Sequence, residues 1–203
     1  MEMKNIKVLS LFDGISIARQ AIANCGIKIE KYYASEIDKY AIQIAQKNFP
    51  DTIQVGSVVD LKGEDFKDID LIIGGSPCQD LSIAKKNREG LCGARSGLFW
   101  EYVRIRDEVK PKYFILENVN SMPKEAKETI SQALGVEPVM INAALVSAQN
   151  RKRLFWVGKL VGDNYEQVDI PQPEDRGCEE TDAKLKGNKF ILFIDNGTYL
   201  SSY

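Results

Sequence analysis

Along the first 160 residues, short apolar runs alternate with stretches whose apolar positions recur at helical spacing. "KVLSLF" (7–12) reads as a strand, and in "ISIARQAIANCG" (15–26) Ile17, Ala21, Ile22 and Cys25 share a helical face that Gly26 closes. "KYYASEI" (31–37) is a second strand, followed by a helical face of Ile37, Tyr40, Ala41, Ile44 and Ala45. "IQVGSVV" (53–59), "DLIIGG" (70–75) and "YFILENV" (113–119) are the third, fourth and fifth strands. Between the last two, Leu98, Tyr102, Ile105 and Val109 stripe a helix that begins after Ser96-Gly97. Strand–helix alternation with short connections predicts βαβ units, hence a Rossmann-like, doubly wound α/β fold with a mostly parallel sheet. "PVMINAALV" (138–146) and "RLFWVGK" (153–159) read as two strands with no helix between them, an antiparallel hairpin at the sheet edge. From Gly162 the chain turns polar, with Pro171 and Pro173 as breakers before the apolar "FILFID". This pattern places one domain over 1–160 and a short appendage over 161–203.

Composition narrows the chemistry. The chain has no histidine, which removes the commonest general base and the commonest metal ligand, so neither a His-activated nucleophile nor a zinc site is expected. Its four cysteines form no C-x-x-C pair, and with no signal-peptide pattern or bilayer-length apolar stretch they read as reduced thiols of a cytoplasmic protein. The net charge of −2 does not announce a nucleic-acid partner, although "AKKNR" (84–88) and "QNRKR" (149–153) are local basic clusters. Either cluster by itself is more often a solvated face.

In an open parallel sheet, ligands bind beyond the C-terminal strand ends, near the point where strand order reverses. After the first strand comes "FDGIS": Phe12 can stack on a flat ring, and Gly14 lets backbone approach a ligand. Glu36 closes the second strand, where Rossmann-type sites place an acid on a ribose hydroxyl. One glycine in place of the usual cluster suits a nucleoside cofactor without phosphates, such as S-adenosylmethionine, better than NAD. After the fourth strand comes "GGSPCQDLS" with Cys78, and within the fifth comes Glu117, so both face one cleft. A lone cysteine is more often a small buried apolar residue. Here the glycines before it, the polar residues after it and the conformational lock of Pro77 favour an accessible loop. A thiolate beside a carboxyl suits attack on an electron-poor ring such as cytosine.

Taken together, "LSLFDGIS", "GGSPCQDLS", "RSGLFWE", "ENV" and "QNRKRLFWVG" resemble, in order and spacing, the cytosine-5 DNA methyltransferases, above all the de novo-type branch and its phage and bacterial relatives. The resemblance covers residues 6 to about 160. It implies the class I S-adenosylmethionine-dependent methyltransferase fold and double-stranded DNA as substrate. It also implies Cys78 as the nucleophile at cytosine C6, Glu117 on N3 and the exocyclic amine, and Arg151 and Arg153 on O2 and phosphate, with Gln149 supporting their loop. Phe12, Asp13, Gly14, Ile15, Glu36, Ile37, Ser57, Val58, Asp60 and Leu98 carry over as cofactor contacts. The target base would be flipped from the duplex, with the loop Gln79 to Arg95 closing over it.

Two departures stand out. Where much of the family has Asp after Gly to bind the adenine amino group, "VGSVVD" offers Ser57, with Asp60 three residues on. "KGNKF" (186–190) departs from the family's late G-N-[SA]-V motif at Lys189, so the chain reads as truncated, minimal, or completed by a second chain. Three other readings stay open: a tRNA methyltransferase of the same family, disfavoured by "SPC"; a non-catalytic remnant; and an NAD-dependent oxidoreductase.

Overall fold

A computed structural model describes residues 5–77, 97–145 and 149–170. It shows an eight-stranded sheet in the order β3-β2-β1-β4-β5-β7-β6, with β8 also on β7. The strands are β1 (Ile6–Leu11), β2 (Ile29–Ser35), β3 (Ile53–Gln54), β4 (Leu71–Gly74), β5 (Tyr113–Val119), β6 (Pro138–Asn142), β7 (Lys152–Val161) and β8 (Asn164–Gln167). The helices are α1 (Ile17–Asn24), α2 (Lys39–Asn48), α3 (Gly97–Val109) and α4 (Lys124–Leu134). β1 to β5 run parallel, and β7 inserts antiparallel between β5 and β6, which forms the expected edge hairpin. The sheet continues past Leu160, because β8 pairs with the second half of β7.

The period-two alternation of strand side chains divides the core between two faces. Leu9, Leu11, Ile72, Phe114, Leu116 and Trp156 pack with Phe99, Tyr102 and Ile105 of α3 and Ile130 and Leu134 of α4. Val8, Tyr32, Ala34, Leu71 and Ile73 pack on the opposite face with Ile22 of α1. Arg106, buried on α3, donates to the carbonyls of Ala133 (3.1 Å) and Leu134 (3.3 Å), capping α4, and its guanidinium lies against the rings of Phe114 and Tyr165.

Four sequence expectations change. The third strand shrinks to Ile53–Gln54, because Gly56 at φ 79° turns the chain and Ser57 accepts from the Val59 amide to start a short 3-10 turn. On α2 only Ala45 of the expected face is buried; Ile37, Tyr40 and Ile44 are exposed at the sheet's β3 end. The buried face of α3 is Phe99, Tyr102, Ile105 and Arg106, which leaves Leu98 and Val109 half-buried at its margin. α4 is an element the apolar pattern left unassigned. It follows Pro123 and is closed by Gly135 at φ 73°, with Ala126, Ile130 and Leu134 buried.

The glycine pair at the end of β4 has a steric cause. A Cβ on Gly74 would lie 2.5 Å from the Leu11 carbonyl oxygen, a backbone atom that cannot swing aside. Gly74→Ala is therefore expected to destabilise the chain by about 2–3 kcal/mol, seen as a fall in Tm of roughly 5–10 °C by calorimetry. An unchanged Tm would mean that β1 and β4 are not in that close register.

Candidate active site

The register aligns the candidate residues in one row. Ser35 pairs with Leu11, Leu11 with Gly74, and Gly74 with Leu116, so the next residues (Glu36, Phe12, Gly75 and Glu117) all stand at the C-terminal edge. Strand order reverses between β1 and β4, in the middle of that row. Three strand spacings separate Glu36 from Glu117, about 14 Å.

At one end of the row, the turn from Phe12 to Ser16 holds Phe12, Gly14 and Ser16 at φ 59°, 60° and 63°. Left-handed backbone is uncommon outside glycine, and two of these three residues carry side chains. Asp13 clasps the turn. It is buried, accepts from the Tyr32 hydroxyl on Oδ1 (2.7 Å) and from the Ser16 hydroxyl on Oδ2, and its carbonyl accepts the Ser16 amide (3.2 Å). The Asp13 side chain thus faces inward and leaves backbone and neighbours to meet a ligand. Burial, the largest influence, raises its pKa; hydrogen bonds from Ser10, Ser16 and Tyr32 act against it, and Glu36 adds a further upward push. A folded-state pKa above the unfolded one means that Asp13's stabilising contribution is present at acidic pH and lost as pH rises through the folded value.

Glu36 organises the same turn from the other side. Its Oε2 accepts the Gly14 amide (2.8 Å), while Oε1 accepts the amides of Ile37 (2.7 Å) and Asp38 (2.9 Å). A carboxylate oxygen has two lone-pair sites, so these bonds fill Oε1 and leave one site on Oε2. Ile37, 77% exposed, stands directly beside it, and Phe12 and Ile15 are half-buried. Of the other expected contacts, Ser57 is half-buried and Asp60 exposed. Val58 is turned into the core, and its carbonyl accepts from Arg104 (3.2 Å).

At the other end of the row stands Glu117. Its Oε1 receives Arg153 Nε at 2.7 Å, an ion pair reaching from β5 to β7 and largely shielded from solvent. Its Oε2 lies 3.0 Å from where a Cβ on Gly75 would sit, so Gly75 leaves space for that carboxylate. Asn118, buried, donates from Nδ2 to the Ser76 carbonyl (3.1 Å), tying the start of the Ser76-Pro77 loop to β5. Arg151 is half-buried, and its amide donates to Asn142 Oδ1 (3.0 Å), so β6 anchors the "QNRKR" turn. Gln149 is half-buried on the same turn, and Leu98 is half-buried at the start of α3. Cys78 and the segment Gln79 to Arg95 lie outside the described residues. Among the described residues no group of three or more Cys, Asp or Glu side chains is arranged to hold a metal ion. No described helix is long and apolar enough to cross a membrane.

The profile of the C-5 cytosine-specific DNA methylase family matches residues 6–192. The chain belongs to that family. The match runs beyond the stretch over which the sequence motifs carried the resemblance, and reaches into the polar C-terminal segment. Among curated relatives, the orphan methyltransferase M.SPRI of Bacillus phage SPR is 33% identical over 77% of this chain and 38% of its own length. The type II methyltransferase M.NgoBV of Neisseria gonorrhoeae is 31% identical over 93% and 50%, respectively. The type II methyltransferase M1.ScrFI of Lactococcus lactis is 34% identical over 82% and 45%. The chain thus spans half or less of the length of these relatives. A prophage-encoded DNA modification methyltransferase of E. coli aligns structurally at TM-score 0.63 and 26% identity, over 76% of this chain and 47% of that one. The Dnmt2 methyltransferase of S. pombe, at TM-score 0.61 and 21% identity over 77% and 50%, shares the fold.

In this member of the family, the sheet order and the reversal between β1 and β4 are those of the class I S-adenosylmethionine-dependent methyltransferase fold. The structure brings Phe12, Gly14, Glu36 and Ile37 together at one end of the row and Glu117, Arg153 and the start of the Ser76-Pro77 loop at the other. Three residues of this site escaped the sequence reading: Tyr32, Ser16 and Arg19. Arg19 on α1 and Tyr32 on β2 are separated by 13 positions and meet where α1 packs against β2, so no local signal marks them.

Proposed function

We propose that the chain carries the catalytic machinery of an S-adenosylmethionine-dependent DNA cytosine-5 methyltransferase that acts through a covalent cysteine adduct. The observation that carries this reading is the Glu117–Arg153 pair held against Gly75, on the strand next to the loop that leads to Pro77-Cys78. Glu117 would take the exocyclic amine of cytosine and, through a shared proton, N3; Arg153 would fix that carboxylate and approach O2. Arg151, on the same turn, is suited to phosphate. Cys78, as thiolate, would add to C6, leaving the ring an enamine with a nucleophilic C5. Once C5 carries its methyl group, departure of the C5 proton to water lets the C6–S bond break and returns the thiolate. C6 is covered inside a duplex, so the cytosine must leave the stack. We assign double-stranded DNA as substrate, and leave the reading of its sequence to chain outside the described residues or to a second polypeptide.

The residues present fit S-adenosylmethionine. Glu36 retains one acceptor site for a ribose hydroxyl, Ile37 and Phe12 offer apolar surface beside it, and the Phe12–Ser16 turn brings backbone to the same place. When bound, the cofactor supplies an electrophilic methyl group. The expected outcome in calorimetry is saturable 1:1 binding of S-adenosylmethionine, weakened at least about tenfold in Glu36→Ala, the loss of a hydrogen bond to a charged group. Binding of NAD in its place would overturn the reading and restore the oxidoreductase.

A further inference from the structure

The turn that Glu36 supports is also held by residues buried beneath it. Tyr32 is fully buried on β2 and donates its hydroxyl to Asp13 Oδ1 (2.7 Å). The Arg19 guanidinium sits 5.2 Å from the Tyr32 ring centre and 5.0 Å from that of Phe49, and donates to the side chains of Thr52 and Asp51. A chain of contacts therefore runs from the loop before β3, through Arg19 and Tyr32, to Asp13 and Ser16. Phe12, Gly14 and Ser16, the three left-handed residues, all lie in the five-residue turn that Asp13 clasps.

We infer that Tyr32, braced by Arg19, is a positioning residue for the cofactor turn: its hydroxyl orients Asp13 and thereby holds Phe12–Ser16 in the shape that meets S-adenosylmethionine. The inference rests on the proposal that this turn binds that cofactor.

A purely structural role is the alternative. A phenylalanine would fill the same core volume and remove the hydroxyl alone, one partner of a buried pair. What it would leave is an Asp13 oxygen with one donor fewer, inside a turn whose backbone is otherwise unfavourable. The expected damage falls on the turn's geometry rather than on the fold. Burial pushes the Tyr32 hydroxyl well above its ordinary pKa, so it remains a donor across the accessible pH range.

The experiment uses the full chain and four variants: Tyr32→Phe, Ser16→Ala, Asp13→Ala and the Tyr32→Phe/Asp13→Ala double. Binding of S-adenosylmethionine is measured by calorimetry well below each variant's Tm. Tyr32→Phe should raise Kd about tenfold at unchanged stoichiometry, and Ser16→Ala should act in the same direction. In the Asp13→Ala background, which has no oxygen left to accept the hydroxyl, the Tyr32→Phe effect should shrink below about twofold, because the hydroxyl works through Asp13. A lowered Tm with Kd unchanged in both Tyr32→Phe and Ser16→Ala would show a structural brace and overturn the inference. Equal effects of Tyr32→Phe with and without Asp13→Ala would overturn it too. If the unsubstituted chain itself failed to bind, the cofactor reading would fall and this inference with it.

Discussion

Cys78→Ala is expected to bring methyl transfer to cytosine below detection, a loss of more than roughly 10⁴-fold, as when an essential nucleophile is removed. Without the thiolate at C6, C5 stays part of an aromatic ring and has too little electron density to take a methyl group. Affinity for S-adenosylmethionine should persist in the same variant. The groups assigned to the cofactor, Gly14 and Glu36, belong to the ends of β1 and β2, whereas Cys78 follows the end of β4 in sequence. A second readout comes from DNA carrying 5-fluorocytosine, which has no C5 proton to lose. The unsubstituted chain should be trapped on that DNA as a denaturant-resistant adduct, and Cys78→Ala should not. Loss of cofactor binding together with activity would instead make Cys78 a structural residue.

Glu117→Gln is expected to lower turnover about 10²–10⁴-fold, the range for a positioned proton-transfer group, with cofactor affinity unchanged. The amide keeps the size of the carboxylate, so it still fits against Gly75. It cannot share a proton with N3, however, and it leaves Arg153 without its charged partner. A modest fall in Tm should accompany the kinetic loss, because the pair is largely shielded. If turnover held while Tm fell, the Glu117–Arg153 pair would be a brace between β5 and β7 and not part of the chemistry. Comparison with Arg153→Ala tests the same point: both variants should depress turnover more than stability.

Much of the fold was legible because parallel strands buried on both faces read as continuous apolar runs. "KVLSLF", "DLIIGG" and "YFILENV" became β1, β4 and β5, close to the expected bounds. β3 is shorter than its sequence suggests: "IQVGSVV" has four β-branched residues in seven, yet the left-handed Gly56 and the capping Ser57 end it after two residues. The α2 face misled differently. Ile37, Tyr40 and Ile44 have the spacing of a core face, but no described element lies over them at the end of a sheet whose last strand is only two residues long. α4 carries usable signals: Pro123 before it, Gly135 after it and Ala126, Ile130 and Leu134 at intervals of four. At the site, the chemistry-bearing residues were legible because motif spacing marks them. Their supports were not. Gly75 is explained by the approach of Glu117, 42 positions away, and the turn at Phe12 by Asp13 reaching Tyr32 across a strand pair. Such contacts depend on register, which a single sequence does not display.

The most direct test is to express the chain in a bacterial host without cytosine methylation, beside its Cys78→Ala variant, and sequence both genomes for 5-methylcytosine at base resolution. The expected result is 5-methylcytosine at one short recurring motif, present with the unsubstituted chain and absent with the variant. A folded, cofactor-binding chain that left the host genome unmethylated, or methylation that survived Cys78→Ala, would contradict the claim that this chain performs cysteine-dependent cytosine-5 methylation.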